Sequence, residues 1–140
     1  MEILTNIKIN ANPKRVWEVF THFQSYPEWN PFIKALNGNP KVGSIIEVNL
    51  PGMKFKPVVL NFSENKELRW KGKLLFNGVF DGEHFFQLVD NGDGTTTFKH
   101  GERFTGFLVR LFRKKIENET KAGFQAMNQA LKDRVEQTGN

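Results

Sequence analysis

The sequence contains no cysteine, which excludes disulfide bonds and thiolate metal ligands. It contains one tyrosine against 14 phenylalanines. Phenylalanine fills apolar space without offering a hydrogen bond, so this imbalance indicates an apolar, aromatic interior. Long apolar runs are also missing, and the first ten residues alternate between apolar and polar side chains. We therefore expect neither a signal peptide nor stable membrane insertion, and a cytoplasmic location.

The length and the charge limit the classes of protein further. The 140 residues match the size of one domain, so we expect a single domain over residues 1–140. Much of the net charge of +5 comes from two basic groups. These are Arg69, Lys71 and Lys73, and Arg110, Arg113, Lys114 and Lys115. Aromatic residues do not alternate with these cations on an exposed face, so we expect solvated surfaces and no nucleic-acid partner. Attraction to an anionic ligand or to membrane headgroups stays open.

One long helical pattern without proline runs from Phe107 to about Val135. Its apolar residues recur at helical spacing. They are Leu108, Leu111, Phe112, Ile116, Phe124, Met127, Leu131 and Val135. The middle of this stripe is interrupted by Glu119, Thr120 and Gly123. At about 1.5 Å per residue the helix would be about 45 Å long, enough to cross a small domain. A long helix that is small and polar at its middle indicates a cavity beside it.

The segments before this helix alternate as β-strands do, apart from a short helical stretch near the N-terminus. Asn12 is the predicted N-cap and Pro13 the first residue of that helix. Two prolines at 27 and 31 leave room for only a short second helix. Strands are expected at 3–9, 32–36, 44–50, 56–63, 68–76, 82–90 and 95–105. The sequence therefore predicts an α+β fold in which an antiparallel sheet packs on one long C-terminal helix.

Two groups of motifs resemble a known superfamily. Near the N-terminus they are Asn12-Pro13-x-x-Val16-Trp17 and Phe23-x-x-Tyr26-Pro27-x-Trp29-Asn30-Pro31. Near the C-terminus they are Gly94-Thr95-Thr96-Thr97-x-x-His100-x-Glu102-x-Phe104-x-Gly106 and Gly123-Phe124-x-x-Met127-Asn128-x-x-Leu131-Lys132. The chain resembles the START, Bet v 1 and polyketide cyclase (SRPBCC) superfamily, in its polyketide cyclase/dehydrase-like branch. The resemblance implies a helix-grip fold, a curved antiparallel sheet wrapped around the long helix, with a hydrophobic ligand cavity between them. It implies no reaction, because fold alone does not set function.

The last predicted hairpin carries three titratable residues at inward-facing positions. His84 lies on its first strand, and His100 and Glu102 lie on its second strand. With the turn at 91–94, His84 falls opposite Glu102 or, one register step away, opposite His100. Buried polar groups need partners, so we expect these side chains to bond one another, a water molecule or a ligand.

Three interpretations of this cluster stay open. It could be a structural hydrogen-bond cluster, or it could anchor a carbonyl or hydroxyl group of an otherwise apolar ligand. It could also be a metal site or a general acid/base pair. We expect no metal, because a His-x-Glu spacing on one strand is weak support for a metal site, and we expect no cofactor. No phosphate loop or nucleophile motif is present, so the enzyme hypothesis depends on this cluster alone.

We expect the cavity to be lined by inward residues of the strands and by the middle of the helix. These residues are Trp70, His84, Phe86, Phe98, His100, Glu102, Phe104, Thr120, Gly123, Phe124 and Met127. Trp70 belongs to them because it shares its strand face with Leu74 and Phe76, opposite the cations of that strand. Met53 and Phe55 are apolar residues in a short connection between lysines, and we expect them at the cavity mouth.

The predicted function is binding of a hydrophobic, lipid- or polyketide-like small molecule by a monomer or weak dimer. The alternative is a polyketide cyclase- or aromatase-like enzyme that uses His84, His100 and Glu102 as acid/base groups. A further alternative is an adaptor for a chaperone or another protein. We favour the binder over the enzyme, because the sequence indicates no catalytic group outside the cluster.

Overall fold

Eight β-strands and four α-helices make up the described part of the chain, residues 1–74 and 80–138 of the computed structural model. The strands are β1 (Glu2–Ile9), β2 (Ala35–Asn37), β3 (Glu47–Leu50), β4 (Met53–Phe55), β5 (Val58–Ser63), β6 (Glu67–Leu74), β7 (Phe80–Asp90) and β8 (Thr96–Thr105). The helices are α1 (Pro13–Thr21), α2 (Tyr26–Trp29), α3 (Phe107–Leu111) and α4 (Arg113–Thr138). A single 3₁₀ turn, Phe23–Ser25, joins α1 to α2.

The strands form two antiparallel sheets. The larger has the order β1-β8-β7-β6-β5, and the smaller has the order β2-β3-β4. A bridge between Ile45 and Val58 connects the two sheets. The predicted α+β architecture, with α1 and α2 after the first strand and a long helix at the C-terminus, is confirmed. The predicted inward residue Phe76 lies outside the described residues.

Helix α1 begins where the sequence predicts. The Asn12 side chain accepts a hydrogen bond from the Arg15 amide at 2.9 Å, and Pro13 is the first helical residue. Trp17 and Phe20 are buried on the inner face of α1. Because the buried residues recur every three to four positions, they form one apolar face that packs α1 against the sheet.

The C-terminal helix is interrupted at Phe112, where φ is −107° and ψ is 17°. The predicted inward stripe is wrong before this point: Leu111 and Phe112 are 75 % and 48 % exposed, and Val109 is buried instead. The break rotates the residues before it about the helix axis relative to the residues after it, so Val109 takes the inward position. From Ile116 onward the prediction is confirmed by four further buried residues. They are Phe124, Met127, Leu131 and Val135.

Helix α4 has 26 residues, which corresponds to about 39 Å. Within residues 1–74 and 80–138, no helix is both long enough and apolar enough to cross a membrane.

Two predicted connections differ from the structure. The Asn30 side chain accepts hydrogen bonds from the amides of Phe32 and Ile33 at 3.0 and 2.8 Å, so the chain turns there and strand β2 starts later. Met53 and Phe55 lie on β4, which pairs with β3, and both are half-buried. The expectation that they lie in a connection between strands is therefore wrong, and their place at a cavity mouth stays a prediction.

The buried apolar side chains form two clusters. The larger contains Trp70, Phe86 and Phe98 together with the inner face of α1 and the C-terminal part of α4. The smaller contains Ile3, Phe104, Val109, Ile116 and Phe124. Phe32 is partly buried and packs against both clusters. The candidate site lies at this junction.

Candidate functional site

The register of the last hairpin brings the three predicted titratable residues together. His84 is paired with Glu102 across β7 and β8, and Phe86 is paired with His100. His84 Nδ1 forms a hydrogen bond with the Glu102 carboxyl group. His84 Nε2 lies 2.7 Å from His100 Nε2. The predicted contact among the three side chains is therefore confirmed.

Two further buried side chains extend this contact. His100 Nδ1 lies 3.0 Å from Asn128 Oδ1 of α4. The Asn128 amide donates to the Thr5 hydroxyl at 2.8 Å, and the Thr5 hydroxyl donates to the His100 carbonyl oxygen at 2.8 Å. We call Glu102, His84, His100, Asn128 and Thr5 the polar chain. It connects β1, β7, β8 and α4 through the interior.

The order of protons along the polar chain follows from its partners. Asn128 uses its NH₂ group on Thr5, so its oxygen accepts and His100 Nδ1 must donate. A neutral His100 then has a bare Nε2, which accepts from His84 Nε2–H. A neutral His84 then has a bare Nδ1, which accepts from a protonated Glu102.

The pKa shifts agree with this neutral arrangement. Burial lowers the pKa of His84 from 6.5 to about 3. Burial, followed by the proximity of His84, lowers the pKa of His100 well below its ordinary value. Burial raises the pKa of Glu102 from 4.5 to about 8. At pH 7 the structure therefore places an uncharged carboxylic acid beside two uncharged imidazoles.

Aromatic rings enclose both imidazoles. The Trp70 ring stacks on His84 with centroids 5.0 Å apart and planes 23° apart. The Phe124 ring stacks on His100 at 4.0 Å and 17°. Phe86 lies 4.8 Å from His84 and 4.5 Å from His100. These walls exclude water from the two imidazoles, which is why burial dominates their pKa shifts.

Phe32 closes the remaining side of the site. Its ring lies nearly parallel to the His84 ring, with centroids 6.2 Å apart, and edge-on to Phe124 at 5.3 Å. A Cβ atom on Gly123 would lie 2.8 Å from Phe32 Cδ1, closer than side chains pack. Glycine at this helical position therefore provides the room for the Phe32 ring.

Glu102 is the end of the polar chain that reaches solvent. Its side chain is 16 % exposed, against 3 % for His84. Glu102 Oε2 lies over Gly82, where a Cβ atom would collide with it. Among residues 1–74 and 80–138, no donor bonds Oε2. The carboxyl group thus presents one acceptor oxygen that a bound molecule could use.

Of the other predicted site residues, Phe98 contacts the polar chain, with its ring centroid 6.2 Å from that of His100. Phe98 and Met127 are fully buried in the larger cluster, and Phe104 is in the smaller one. Thr120 is half-buried on α4, one turn before Gly123. For the predicted mouth, a Cβ atom on Gly72 would meet the Phe55 ring at 3.0 Å, so that ring packs against β6. The roles of all these residues in ligand binding stay predictions.

Sequence reasoning missed Thr5, Asn128 and Phe32. Thr5 is a polar residue on the isoleucine face of β1, and Asn128 adjoins Met127 in the apolar stripe of α4, so each carried a signal. Phe32 carried none, because it follows Pro31 in a segment without periodicity.

The metal hypothesis gains no support from this geometry. In the part of the chain that the structure describes, no three His, Asp or Glu side chains are grouped to hold a metal ion. The two Nε2 atoms that would serve as ligands bond each other instead. The absence of a bound metal stays a prediction.

Comparison with known proteins gives a family and a fold. A family model described as polyketide cyclase/dehydrase and lipid transport matches residues 2–136. The chain superimposes on an aromatase/cyclase from Streptomyces sp. R1128 with a TM-score of 0.79 at 11% identity, over 100% of this chain and 96% of that one. A START superfamily protein from Mycobacterium smegmatis gives a TM-score of 0.70 at 21% identity, over 97% of each chain.

A third solved structure is a norcoclaurine synthase from Thalictrum flavum in complex with dopamine and hydroxybenzaldehyde. It gives a TM-score of 0.73 at 15% identity, over 99% of this chain and 87% of that one. No curated protein sequence matches the chain significantly. These three structures are each under 25% identical to this chain, so they support the helix-grip fold and establish no activity.

Proposed function

This chain belongs to the polyketide cyclase/dehydrase and lipid transport family, and from that premise we propose that it binds an apolar small molecule with one polar group. The polar group would be a hydroxyl or another hydrogen-bond donor that reaches Glu102. The apolar part would lie between the sheet and α4, near Phe32 and Gly123. The molecule would be lipid- or polyketide-like.

The observation that carries this proposal is the uncharged Glu102 carboxyl group at the end of the polar chain. Its proton is committed to His84, so its second oxygen can accept a hydrogen bond. A neutral acid forms no ion pairs with salt ions, and its free oxygen accepts hydrogen bonds from uncharged donors. Pockets for small molecules have this composition, mostly apolar walls with a few placed polar groups.

The ligand would enter by displacing the Phe32 ring. This ring is only half-buried, and it touches both apolar clusters without belonging to either one. Moving it would open the space in front of Gly123 and expose the Phe124 ring. The predicted lining residues Phe104, Thr120 and Met127 border this region along β8 and α4.

Titration with a neutral apolar fluorophore, N-phenyl-1-naphthylamine, tests the proposal. The wild-type protein should bind it, and Gly123→Leu should abolish binding because the leucine fills the opened space. Ala122→Leu is the matched control, since Ala122 is exposed on the same helix, and it should bind normally. Equal binding by the two folded leucine variants would contradict the proposal. Native mass spectrometry of gently purified protein would identify a co-purified ligand.

Acid–base catalysis is the second candidate function, and the raised pKa of the Glu102 carboxyl group favours it. When the Glu102 O–H group turns from His84 Nδ1 toward a bound carbonyl group, a carboxylic acid that stays protonated near pH 7 can act as a general acid. The carboxylate that remains would regain its proton from water, because Glu102 is the end of the polar chain that reaches solvent. A cyclase substrate would be a reactive polyketide-like chain with several carbonyl groups.

Glu102→Gln separates the two candidates. Glutamine keeps a donor toward His84 and an acceptor toward the ligand, but it cannot transfer a proton. A binder should therefore keep its affinity in this variant, whereas an enzyme should bind substrate and lose turnover. Glu102→Leu should lose binding in both cases. Mass spectrometry of the ligand before and after incubation shows which case holds.

A further inference from the structure

The junction of α3 and α4 exposes three large apolar side chains. Phe107 is 67 % exposed, Leu111 is 75 % exposed and Phe112 is 48 % exposed. Phe107 and Leu111 are four residues apart and share one face of α3, while Val109 is buried on the other. Phe112 follows them directly, at the break between α3 and α4. Exposed apolar residues grouped in this way mark a contact surface.

Basic residues flank these side chains in the sequence. Between Glu102 and Glu117 the sequence contains no acidic residue. It contains four basic residues next to the apolar ones, all exposed. They are Arg110, Arg113, Lys114 and Lys115. Arg113 lies 3.6 Å from Glu117, an exposed pair that holds it weakly. We call these cations and Phe107, Leu111 and Phe112 the junction surface.

We propose that the junction surface binds the interface of an anionic lipid bilayer. Aromatic and leucine side chains enter the boundary between headgroups and acyl chains, and arginine and lysine side chains next to them bind lipid phosphates. The observed arrangement has both parts within one short segment. The excess of positive charge over this segment favours an anionic surface over a neutral one.

Charge also argues against a second copy of this protein as the occupant. In a symmetric dimer the same patch from two copies would meet, which would bring two groups of four cations together. Like charges in contact cost free energy, so a second copy fits poorly. Neither Gly82 nor the polar chain contributes to the junction surface. The tests of bilayer binding and of small-molecule uptake are therefore independent, and one can fail while the other succeeds.

Vesicle flotation tests the proposal. The wild-type protein should float with phosphatidylcholine vesicles that contain phosphatidylglycerol and should stay behind with phosphatidylcholine alone. Raising the salt concentration should weaken binding, since exposed charges are screened. Lys114→Gln with Lys115→Gln should lower the affinity about 25-fold, because each cation near an anionic surface contributes about fivefold.

The apolar part needs its own variant and control. Phe107→Ser with Leu111→Ser should lower the affinity at least about tenfold, since both lose apolar area that enters the interface. Val42→Ser with Ile45→Ser is the matched control, because these residues are 68 % and 64 % exposed elsewhere on the protein. This control should bind vesicles as the wild type does.

Three outcomes would overturn the proposal. The first is absence of flotation with anionic vesicles at low salt. The second is equal binding by the junction variants and the Val42/Ile45 control. The third is a dimer in sedimentation velocity that is lost in the Phe107/Leu111 variant while no vesicle binding occurs, which would assign the surface to a second copy.

Discussion

The Phe32 ring occupies the place that a side chain at position 123 would need. A Cβ atom built on Gly123 would lie 2.8 Å from Phe32 Cδ1 and 3.0 Å from Cε1. Glycine in a helix costs about 1 kcal/mol relative to alanine. The contact with Phe32, which joins the two apolar clusters, accounts for a glycine at this point of α4.

The effect of Gly123→Ala on the free energy of unfolding should therefore change sign with the residue at position 32. With Phe32 present the added methyl group meets the ring, so we expect a neutral or destabilising effect. With Phe32→Ala the conflict disappears, and the same change should stabilise the protein by about 1 kcal/mol. Urea unfolding of the four proteins measures this coupling. Identical effects of Gly123→Ala in both backgrounds would show that the ring does not require glycine.

Stability should have its maximum on the acidic side of neutrality. His84 has a folded pKa of about 3 and an ordinary value of 6.5, so the unfolded state binds more protons in this range and acid destabilises the protein. Glu102 has a folded pKa of about 8 and an ordinary value of 4.5, so the folded state binds more protons and alkali destabilises it. His100, whose pKa burial also lowers, adds to the effect of His84, so between pH 4.5 and 6.5 the two histidines outweigh Glu102 and the melting temperature should peak near pH 6.5.

The variant Glu102→Gln isolates the alkaline side of this profile. Glutamine imitates the protonated acid and does not titrate, so the decrease in melting temperature between pH 6.5 and 8 should become smaller. The acidic decrease, which His84 and His100 cause, should persist. A wild-type profile that rises steadily to pH 8 would mean that Glu102 is ionised in the folded protein.

Asn128→Ala should destabilise the protein by about 1–3 kcal/mol. The change leaves His100 Nδ1–H without its acceptor and Thr5 without its donor in a buried place. Gln125→Ala is the control, because Gln125 is exposed on the same helix and should change stability by less than about 0.5 kcal/mol. Chemical denaturation measures both. Equal effects of the two variants would mean that the polar chain adds no stability through Asn128.

Purified protein should contain no stoichiometric zinc or iron. The Nε2 atoms of His84 and His100 lie 2.7 Å apart and bond each other, and Phe32 and Trp70 cover the rings. A metal would have to break this bond and move at least one ring. Elemental analysis measures the content. One metal ion per chain that is lost in His84→Ala would establish a metal site and favour the enzyme.

The hairpin that carries the site was predictable because its turn fixes its register. The turn at 91–94 has glycines with φ of 80° and 89°, as such a turn requires, and it sets every pair along β7 and β8. Counting outward from this turn left two registers, His84 opposite Glu102 or opposite His100, and the structure has the first. Local sequence therefore predicted which three side chains meet, but not which residue pairs with His84.

The break at Phe112 could not be predicted in the same way. No glycine or proline marks it, and Leu108, Leu111 and Phe112 continue the helical spacing of the residues that follow. Their exposure depends on where the sheet ends beside the helix, which is a property of the tertiary structure. The contact between Thr5 and Asn128 also joins residues from opposite ends of the chain, so no local pattern contains it.

The pairing of β1 with β8 has a consequence for the order in which the protein can fold. Strand β1 is synthesised before the other described elements of this fold, and its neighbour in the sheet, β8, is the last of the described strands. The hydrogen bond between Thr5 and Asn128 likewise cannot form until Asn128, 123 residues later, has been synthesised. The isoleucine face of β1 therefore stays unpaired throughout synthesis, and contacts this distant in sequence form slowly. During that interval the nascent N-terminal strand is the segment most in need of protection from aggregation.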